Sequence, residues 1–150
     1  AEIKLDNLSK CLEEAYLLYF NTRKDIKLNL IKPENDIYFH FDTLQISRCF
    51  GNLIKNAIEA VEKIPNPAVE VLMTTNDKNI KIEIKDNGVG IDEKMLSKIF
   101  EPYFTTKTKG TGLGLSIVKR IIEDHGGKIK IEKNKNMAGT TSLINFEYNA

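Results

Sequence analysis

The chain has 150 residues, which is the size of one domain, so we expect a single hydrophobic core over residues 1–150. Hydrophobic residues make up 41% of the sequence and charged residues 29%, which excludes a disordered or fibrous protein. Lysine and arginine (22) nearly balance aspartate and glutamate (21), and the net charge of +1 argues against a nucleic-acid-binding domain, because such domains usually carry a basic excess.

The cysteine count and the hydropathy pattern indicate a cytoplasmic domain. Cys11 and Cys49 are too few for a multi-disulfide framework or a four-ligand zinc site. Both fall in apolar helical patterns, so we expect buried free thiols in a reducing compartment. The sequence has no run of 18 apolar residues and no signal-peptide pattern, so we expect no direct membrane insertion. Whether a longer parent protein is anchored in the inner membrane stays open.

The first half of the chain alternates helical and strand-like patterns. Apolar residues at three- and four-residue spacings predict a helix over 7–19. Strand-like runs follow at 26–31 and 37–41, separated by a Pro-Glu-Asn-Asp turn. Asp42 or Thr43 is then placed to cap a long helix, which runs to about residue 63 and ends before a Pro-Asn-Pro segment.

The second half is predicted to contain two more pairs of strands and two helices. In chain order these are strands at 69–74 and 80–84, a short helix at 92–100, an irregular loop at 101–112, a helix at 113–125 closed by Gly126 and Gly127, and strands at 128–132 and 140–148. Strands adjacent in sequence are expected to pair. The predicted fold class is therefore α+β, a two-layer α/β sandwich with a mixed sheet covered by helices on one face.

The long helix carries an unusual polar stripe. Asn52, Asn56 and Glu59 lie at helical spacing on one face, apart from the wide apolar face. Asparagine is a poor residue for a helix interior, because its amide competes for backbone hydrogen bonds. A solvated face is one explanation of the stripe. The other is a site, because a carboxamide oxygen facing a cleft suits Mg²⁺, which takes few protein ligands and fills its shell with phosphate oxygens and water.

Eight of the nine glycines lie in the last 63 residues, where the chemistry is therefore expected. The first cluster follows a predicted strand at Asp86, Asn87 and Gly88, a pattern that also occurs in tight hairpins. The chain continues towards a helix rather than a return strand, which disfavours the hairpin. Gly90 would allow a flat ligand to approach the backbone, and Asp86 could accept a hydrogen bond from an exocyclic amine.

The second glycine cluster, residues 110–115, opens a predicted helix. Backbone N–H groups at a helix start, together with the positive end of the helix dipole, favour phosphate. Lysines and an arginine surround the cluster, and no acidic residue occurs between Glu101 and Glu123. The spacing is neither that of a P-loop nor that of a dinucleotide fingerprint.

Taken together, these segments resemble the motifs of the sensor histidine kinases. Residues 52–60 resemble their N box, 86–90 their G1 box, 100–107 their F box and 110–115 their G2 box. The order matches the catalytic ATP-binding domain of the gyrase, Hsp90, histidine kinase and MutL superfamily, and the F box looks most like that of the nitrogen-regulation kinases NtrY and NtrB. The resemblance implies a Bergerat-type ATP-binding fold with ATP and Mg²⁺ as cofactors.

The resemblance also implies a role for individual residues. Asn56 would ligate Mg²⁺, Asn52 would support phosphate or metal from the preceding turn, and Lys107 would lie near the γ-phosphate; these three are the expected catalytic residues. Asp86 would read the adenine amino group. The other expected nucleotide-binding residues shape the adenine pocket or carry a lid onto the triphosphate: Gly88, Gly90, Phe104, Thr106, Gly110, Thr111, Gly112, Leu113, Gly114, Leu115 and Thr140.

Two departures from the family pattern bear on the activity. Asn52 stands where hydrolytic members carry a water-activating glutamate, and because an amide cannot accept a proton, this favours phosphoryl transfer over hydrolysis. Glu59 stands where many sensor kinases carry a basic residue, so its role is open, a salt bridge within its helix being one option. The alternative functions are an ATP-hydrolysing chaperone- or gyrase-type domain and a degenerate nucleotide-binding interaction module.

Neither histidine is expected to accept phosphate. His40 lies in a strand pattern and His125 in the last turn of a helix, and neither is followed by the acidic residue that the family places after its acceptor histidine. The acceptor is therefore expected on a dimerisation domain N-terminal to residue 1, and the isolated chain is not expected to autophosphorylate. The implied partners are that domain and, through the full kinase, a response regulator.

Overall fold

The computed structural model describes residues 1–104 and 114–148. Within these ranges the chain forms seven strands and four helices. In chain order they are β1 (Lys4–Asn7), α1 (Leu8–Phe20), β2 (Lys27–Ile31), β3 (Tyr38–Phe41), α2 (Thr43–Val61), β4 (Ala68–Thr75), β5 (Asn79–Asp86), α3 (Glu93–Leu96), α4 (Gly114–Asp124), β6 (Lys128–Lys133) and β7 (Thr140–Glu147).

The main sheet has five strands in the order β2-β4-β5-β7-β6. The β2–β4 pair is parallel and the other pairs are antiparallel, so the sheet is mixed as predicted. Alternate side chains of β4 and β5 are buried against α2, while the opposite face carries polar residues such as Glu70, which lies across from Lys85. The predicted α+β two-layer sandwich is confirmed.

The predicted pairing of β2 with β3 is wrong. β3 pairs antiparallel with β1 in a separate two-stranded sheet, and β2 pairs with β4 instead. The residue before β3 is held on α1, because the Leu8 N–H donates to the Ile37 carbonyl and the Ile37 N–H donates to the Ser9 hydroxyl, both at 2.8 Å. Strand β1 was not predicted, since its sequence, Lys-Leu-Asp-Asn, lacks apolar alternation.

Helix α2 forms the centre of the helical layer. Asp42 is its N-cap and accepts a hydrogen bond from the Gln45 N–H at 3.1 Å, which decides between the two predicted caps. The helix packs against α1, α4 and the strands β4 and β5. Its apolar face is buried over its whole length, from Ile46 to Val61. The polar stripe therefore lies on another side of the same helix.

The helix predicted at 92–100 is shorter than expected. Asp92 caps it, but α3 ends at Leu96 and buries none of its four residues. Short helices depend on tertiary packing, so an exposed segment of this kind stops early. The predicted glycine C-cap of α4 is confirmed, because Gly126 has a φ of +75° and the Gly127 N–H donates to the Ile122 carbonyl at 2.9 Å.

The structure also bears on the predictions for the two cysteines and for membrane-spanning helices. Cys11 and Cys49 are both buried and free, and burial raises the pKa of each thiol to about 12. None of the helices in residues 1–104 and 114–148 is long and apolar enough to cross a membrane.

Candidate functional site

The side chain of Asp86 is buried at the end of a central strand. Only 6% of the residue is exposed, and its Oδ1 accepts hydrogen bonds from the Gly88 N–H at 2.9 Å and from the Thr140 N–H at 3.3 Å. Burial raises the pKa of this carboxyl, and the two N–H donors lower it by a smaller amount. A desolvated carboxylate held by two backbone donors is a directional acceptor.

Both of these hydrogen bonds reach the same oxygen. Among the described residues, Asp86 Oδ2 takes part in no hydrogen bond, so it is the oxygen that could accept from a ligand. Sequence reasoning predicted Asp86, Gly88 and Thr140 for one pocket, and the structure brings the three together.

Two glycines fit against backbone atoms that leave no room for a side chain. A Cβ at Gly88 would overlap the carbonyl oxygen of Ala60 in α2, and a Cβ at Gly139 would overlap the carbonyl oxygen of Asp86. Gly139 also has a φ of +105°, in the region that favours glycine. Through Gly88, the loop after β5 packs directly against α2 at Ala60, one helical turn beyond Asn56.

The polar stripe of α2 meets the start of α4. Asn56 Nδ2 donates to Asn52 Oδ1 at 3.1 Å, so the two predicted residues form a bonded pair. A Cβ at Gly114, the first described residue of α4, would lie 2.8 Å from Asn52 Nδ2. The N-box helix and the end of the G2 box are therefore in contact, and a glycine is what permits it.

The donor chemistry of this stripe fits Mg²⁺ better than a metal held by protein alone. Asn56 Nδ2 donates to Asn52 Oδ1, and an amide carbonyl oxygen such as that of Asn56 is a ligand type that suits a hard cation. The described ranges contain no group of three or more histidine, cysteine, aspartate or glutamate residues that could hold a metal ion. An amide oxygen combined with phosphate oxygens and water is the arrangement expected of a Mg²⁺–nucleotide site.

Part of the predicted site lies outside the described residues: Thr106, Lys107, Gly110, Thr111, Gly112 and Leu113. Of the remaining predicted residues, Leu115 is partly buried and packs against the hydrophobic core. Phe104 is half-buried, as is Phe100, the first residue of the F box. Gly90 has a φ of +81° and borders a cavity of about 370 Å³.

The cavity lies between the loop after β5 and the turn that joins β6 to β7. Its walls are formed by residues 89–92, 133–134 and 137–139. Asn134 and Gly139 on this wall both contact the main-chain oxygen of Asp86. Sequence reasoning missed Asn134, because an asparagine in a Lys-Asn-Lys-Asn segment is typical of an ordinary turn.

The two histidines lie away from these groups. His40 is exposed on β3. His125 links two helices: its Nε2 accepts from the Asp42 N–H at 3.0 Å, and its Nδ1 lies 2.8 Å from the Ile121 carbonyl. Because a backbone N–H can only donate, Nε2 is unprotonated in this arrangement and Nδ1 is the donor. The hydrogen bonds of His125 fit a structural role. That neither histidine accepts phosphate stays a prediction.

Known proteins resemble the chain in sequence. Residues 41–149 match the family described as histidine kinase-, DNA gyrase B- and HSP90-like ATPase. Sporulation kinase A of Bacillus subtilis is 40% identical over 143 residues, which are 93% of this chain and 23% of that protein. Nitrogen regulation protein NtrY of Azorhizobium caulinodans is 40% identical over 96 residues, which are 61% of this chain and 12% of that protein. The chain spans less than a quarter of the length of these curated relatives.

Solved structures resemble it as well. The catalytic domain of histidine kinase ThkA matches with a TM-score of 0.87 and 33% identity, covering 98% of this chain and 96% of that one. ThkA in complex with the response regulator TrrA matches with a TM-score of 0.82 and 30% identity, over 97% of this chain and 41% of that one. The resemblance to sensor histidine kinases, including those of nitrogen regulation, is confirmed. The chain belongs to the histidine kinase-, DNA gyrase B- and HSP90-like ATPase family, and within it to the histidine kinase catalytic domains.

Proposed function

We propose that the chain binds Mg·ATP and transfers the γ-phosphoryl group to a histidine on a separate dimerisation domain of the same parent protein. The observation that carries the proposal is the buried Asp86 carboxylate, which two backbone donors hold by one oxygen. A site that hydrogen-bonds an amine of its ligand discriminates strongly against ligands without that amine, because the buried acceptor is then left unpaired.

In this proposal the adenine amino group donates to Asp86 Oδ2. The two asparagines of α2 lie on the phosphate side of the pocket, and Asn56 would hold Mg²⁺ through its carbonyl oxygen. Bound Mg²⁺ would neutralise the charge of the phosphates. The start of α4, next to Asn52, would present backbone N–H groups to the triphosphate, together with Lys107 and the glycines of the G2 box.

The chain's own residues favour transfer over hydrolysis. The Asn52 amide cannot take a proton from water, so water is not activated at this position. The incoming nucleophile is then a neutral imidazole nitrogen of the partner domain, which forms a P–N bond to the γ-phosphorus while the bond to the leaving oxygen of ADP breaks. Holding both reactants in line is the main task of such a site.

The partners follow from the same reaction. We assign the chain to one catalytic and ATP-binding domain, residues 1–150, located in the cytoplasm as part of a longer kinase. That kinase would contribute the phosphoacceptor histidine and pass the phosphoryl group to a response regulator. The complex of ThkA with a response regulator supports this assignment.

The test combines calorimetric titration of Mg·ATP with a transfer assay. The chain should bind Mg·ATP, show no phosphohistidine when incubated alone, and label an added helical-hairpin domain of its parent. Steady ATP turnover without any acceptor would favour the ATPase alternative. Binding without transfer to a competent hairpin domain would favour the degenerate nucleotide-binding module.

A further inference from the structure

Asn134, in the turn between β6 and β7, makes four hydrogen bonds. Its N–H donates to the Gly139 carbonyl at 3.0 Å, and its Nδ2 donates to the carbonyls of Ala138 at 3.0 Å and Asp86 at 2.7 Å. Its Oδ1 accepts from the Thr141 hydroxyl at 2.5 Å. Two carbonyl acceptors on Nδ2 and a hydroxyl donor on Oδ1 fix the orientation of the amide.

Three of these bonds are those of an asparagine that stabilises its own turn. The fourth is different, because Asp86 is 48 residues away in sequence and belongs to another strand. The bond reaches the main-chain oxygen of the residue whose side chain is proposed to read adenine.

The bond from Asn134 to the Asp86 carbonyl lies where the pairing of β5 with β7 ends. Asp86 still pairs with Val69 of β4, but the ladder between β5 and β7 ends at Lys85 and Thr141. On the β7 side, Asp86 is therefore held by the Asn134 amide and by its own carboxylate. The carboxylate bond to the Thr140 N–H, at 3.3 Å, is long for a hydrogen bond, so it is a weak constraint.

We propose that Asn134 is a positioning residue that replaces the missing ladder bond and so fixes the Asp86 carboxylate relative to the Thr140 N–H. It thereby sets how strongly the site discriminates for a purine with an amino group at position 6. The discrimination rests on the proposed ATP-binding function. The positioning does not, because every contact that carries it is made between residues of the chain itself.

The neighbouring glycine shows how little freedom this junction has. A Cβ at Gly139 would overlap the Asp86 carbonyl oxygen and would lie 2.9 Å from Asn134 Nδ2. The turn is thus packed directly onto the end of β5. Removal of the amide leaves the Asp86 carbonyl without its donor at this junction.

The test uses Asn134→Ala and, as a milder variant, Thr141→Val, which removes the hydroxyl that orients the amide but keeps the side-chain volume. Lys135→Ala is the matched control, because Lys135 is exposed in the same turn. The first measurement is amide hydrogen exchange in the nucleotide-free protein. Asn134→Ala should speed exchange of the Thr140 N–H by about tenfold, with a smaller change in Thr141→Val and none in Lys135→Ala.

The second measurement is the affinity for ATP and for purine riboside triphosphate, which lacks the 6-amino group. Asn134→Ala should weaken ATP binding by about tenfold and leave the affinity for the analogue within a factor of about two. Equal weakening of both nucleotides, or no change in either, would overturn the role in discrimination. Unchanged exchange at Thr140 would overturn the positioning.

The two proposals fail in different ways. If the wild-type chain binds neither nucleotide, the proposed function is refuted and the discrimination falls with it, while the exchange measurement still decides the positioning. If wild-type binds both nucleotides with equal affinity, adenine is not read by Asp86, and the role assigned to Asn134 in discrimination is refuted even though nucleotide binding stands.

Discussion

Replacement of Asp86 by asparagine tests the nucleotide site with a minimal change. The asparagine Oδ1 can still accept from the N–H groups of Gly88 and Thr140, so the local backbone is retained. At the other position an NH₂ group replaces Oδ2. An acceptor becomes a donor, and it would face the amino group of adenine, which is itself a donor.

The expected loss of affinity follows from that reversal. A hydrogen bond to a charged group contributes about 1.5–3 kcal/mol, which corresponds to about a ten- to 150-fold change in Kd. Because only 6% of Asp86 is exposed, water cannot readily replace the lost bond, and we expect the upper part of this range.

The same substitution should not destabilise the free protein. Burial raises the pKa of the Asp86 carboxyl above its ordinary value of 3.8, so the folded state holds this proton more tightly than the unfolded state. The stabilisation from protonation is fully present below pH 3.8 and is lost as the pH rises through the raised pKa. At neutral pH the buried, ionised carboxylate therefore destabilises the folded state, and Asp86→Asn should melt at the same or a higher temperature than wild type. The difference should shrink as the pH falls towards 3.8.

The assay is calorimetric titration of Mg·ATP together with thermal melts over this pH range. Glu83→Gln is the matched control, since it makes the same change of charge on the polar face of the same strand. Affinity lost together with a large drop in melting temperature would mean that Asp86 stabilises the fold rather than reads adenine. Unchanged affinity with intact folding would refute the assignment of the pocket.

Two further substitutions, each with a matched control variant, test other contacts of the structure. Gly114→Ala should displace the Asn52 side chain and lower phosphoryl transfer by about tenfold or more, since a small misplacement at a reacting centre lowers the rate strongly. Gly51→Ala is the control, because a Cβ there meets nothing within 4 Å. It should leave transfer unchanged and stabilise the protein by about 0.5–1 kcal/mol. Transfer by the Gly114 variant at the wild-type rate would contradict the contact between α2 and α4. His125→Ala should lower the free energy of unfolding in urea by about 1–2 kcal/mol, because the N–H at the cap of α2 loses its acceptor. His40→Ala, at an exposed position, should change it by less than about 0.5 kcal/mol, and equal effects of the two would contradict the structural role of His125.

The parts of the fold that the sequence predicted well are those set by local patterns. The apolar face of α2, its cap at one of two adjacent residues and the alternation of β4 and β5 each lie within one short segment, so periodicity and capping chemistry locate them. The hairpin of β4 and β5 was also predictable, because few residues separate the two strands.

The errors concern contacts between distant segments. β2 and β3 are separated by one turn and were expected to pair, yet β3 is held by α1 and β1, while β2 joins β4 across the whole length of α2. Strand β1 has no apolar alternation, so only its partner strand makes it a strand. Nothing in a single sequence states which of two possible partners a strand will take.

The candidate site also contains residues that local sequence indicates and one residue that only a distant contact reveals. Asn52 and Asn56 could be singled out because asparagine is unusual in a helix interior, and Asp86 and Gly88 because the chain after them continues towards a helix rather than a return strand. Their roles towards the nucleotide were implied by the family resemblance and stay predictions. Asn134 was not, because an asparagine in a turn needs no further explanation until its bond to the end of another strand is seen.

The most direct test of the account is a crystal structure of the chain with Mg²⁺ and a non-hydrolysable ATP analogue. The adenine amino nitrogen should lie about 2.9 Å from Asp86 Oδ2. Mg²⁺ should lie about 2.1 Å from the carbonyl oxygen of Asn56, on the phosphate side of the pocket. A nucleotide bound elsewhere on the domain, or adenine at Asp86 with the metal away from α2, would contradict it.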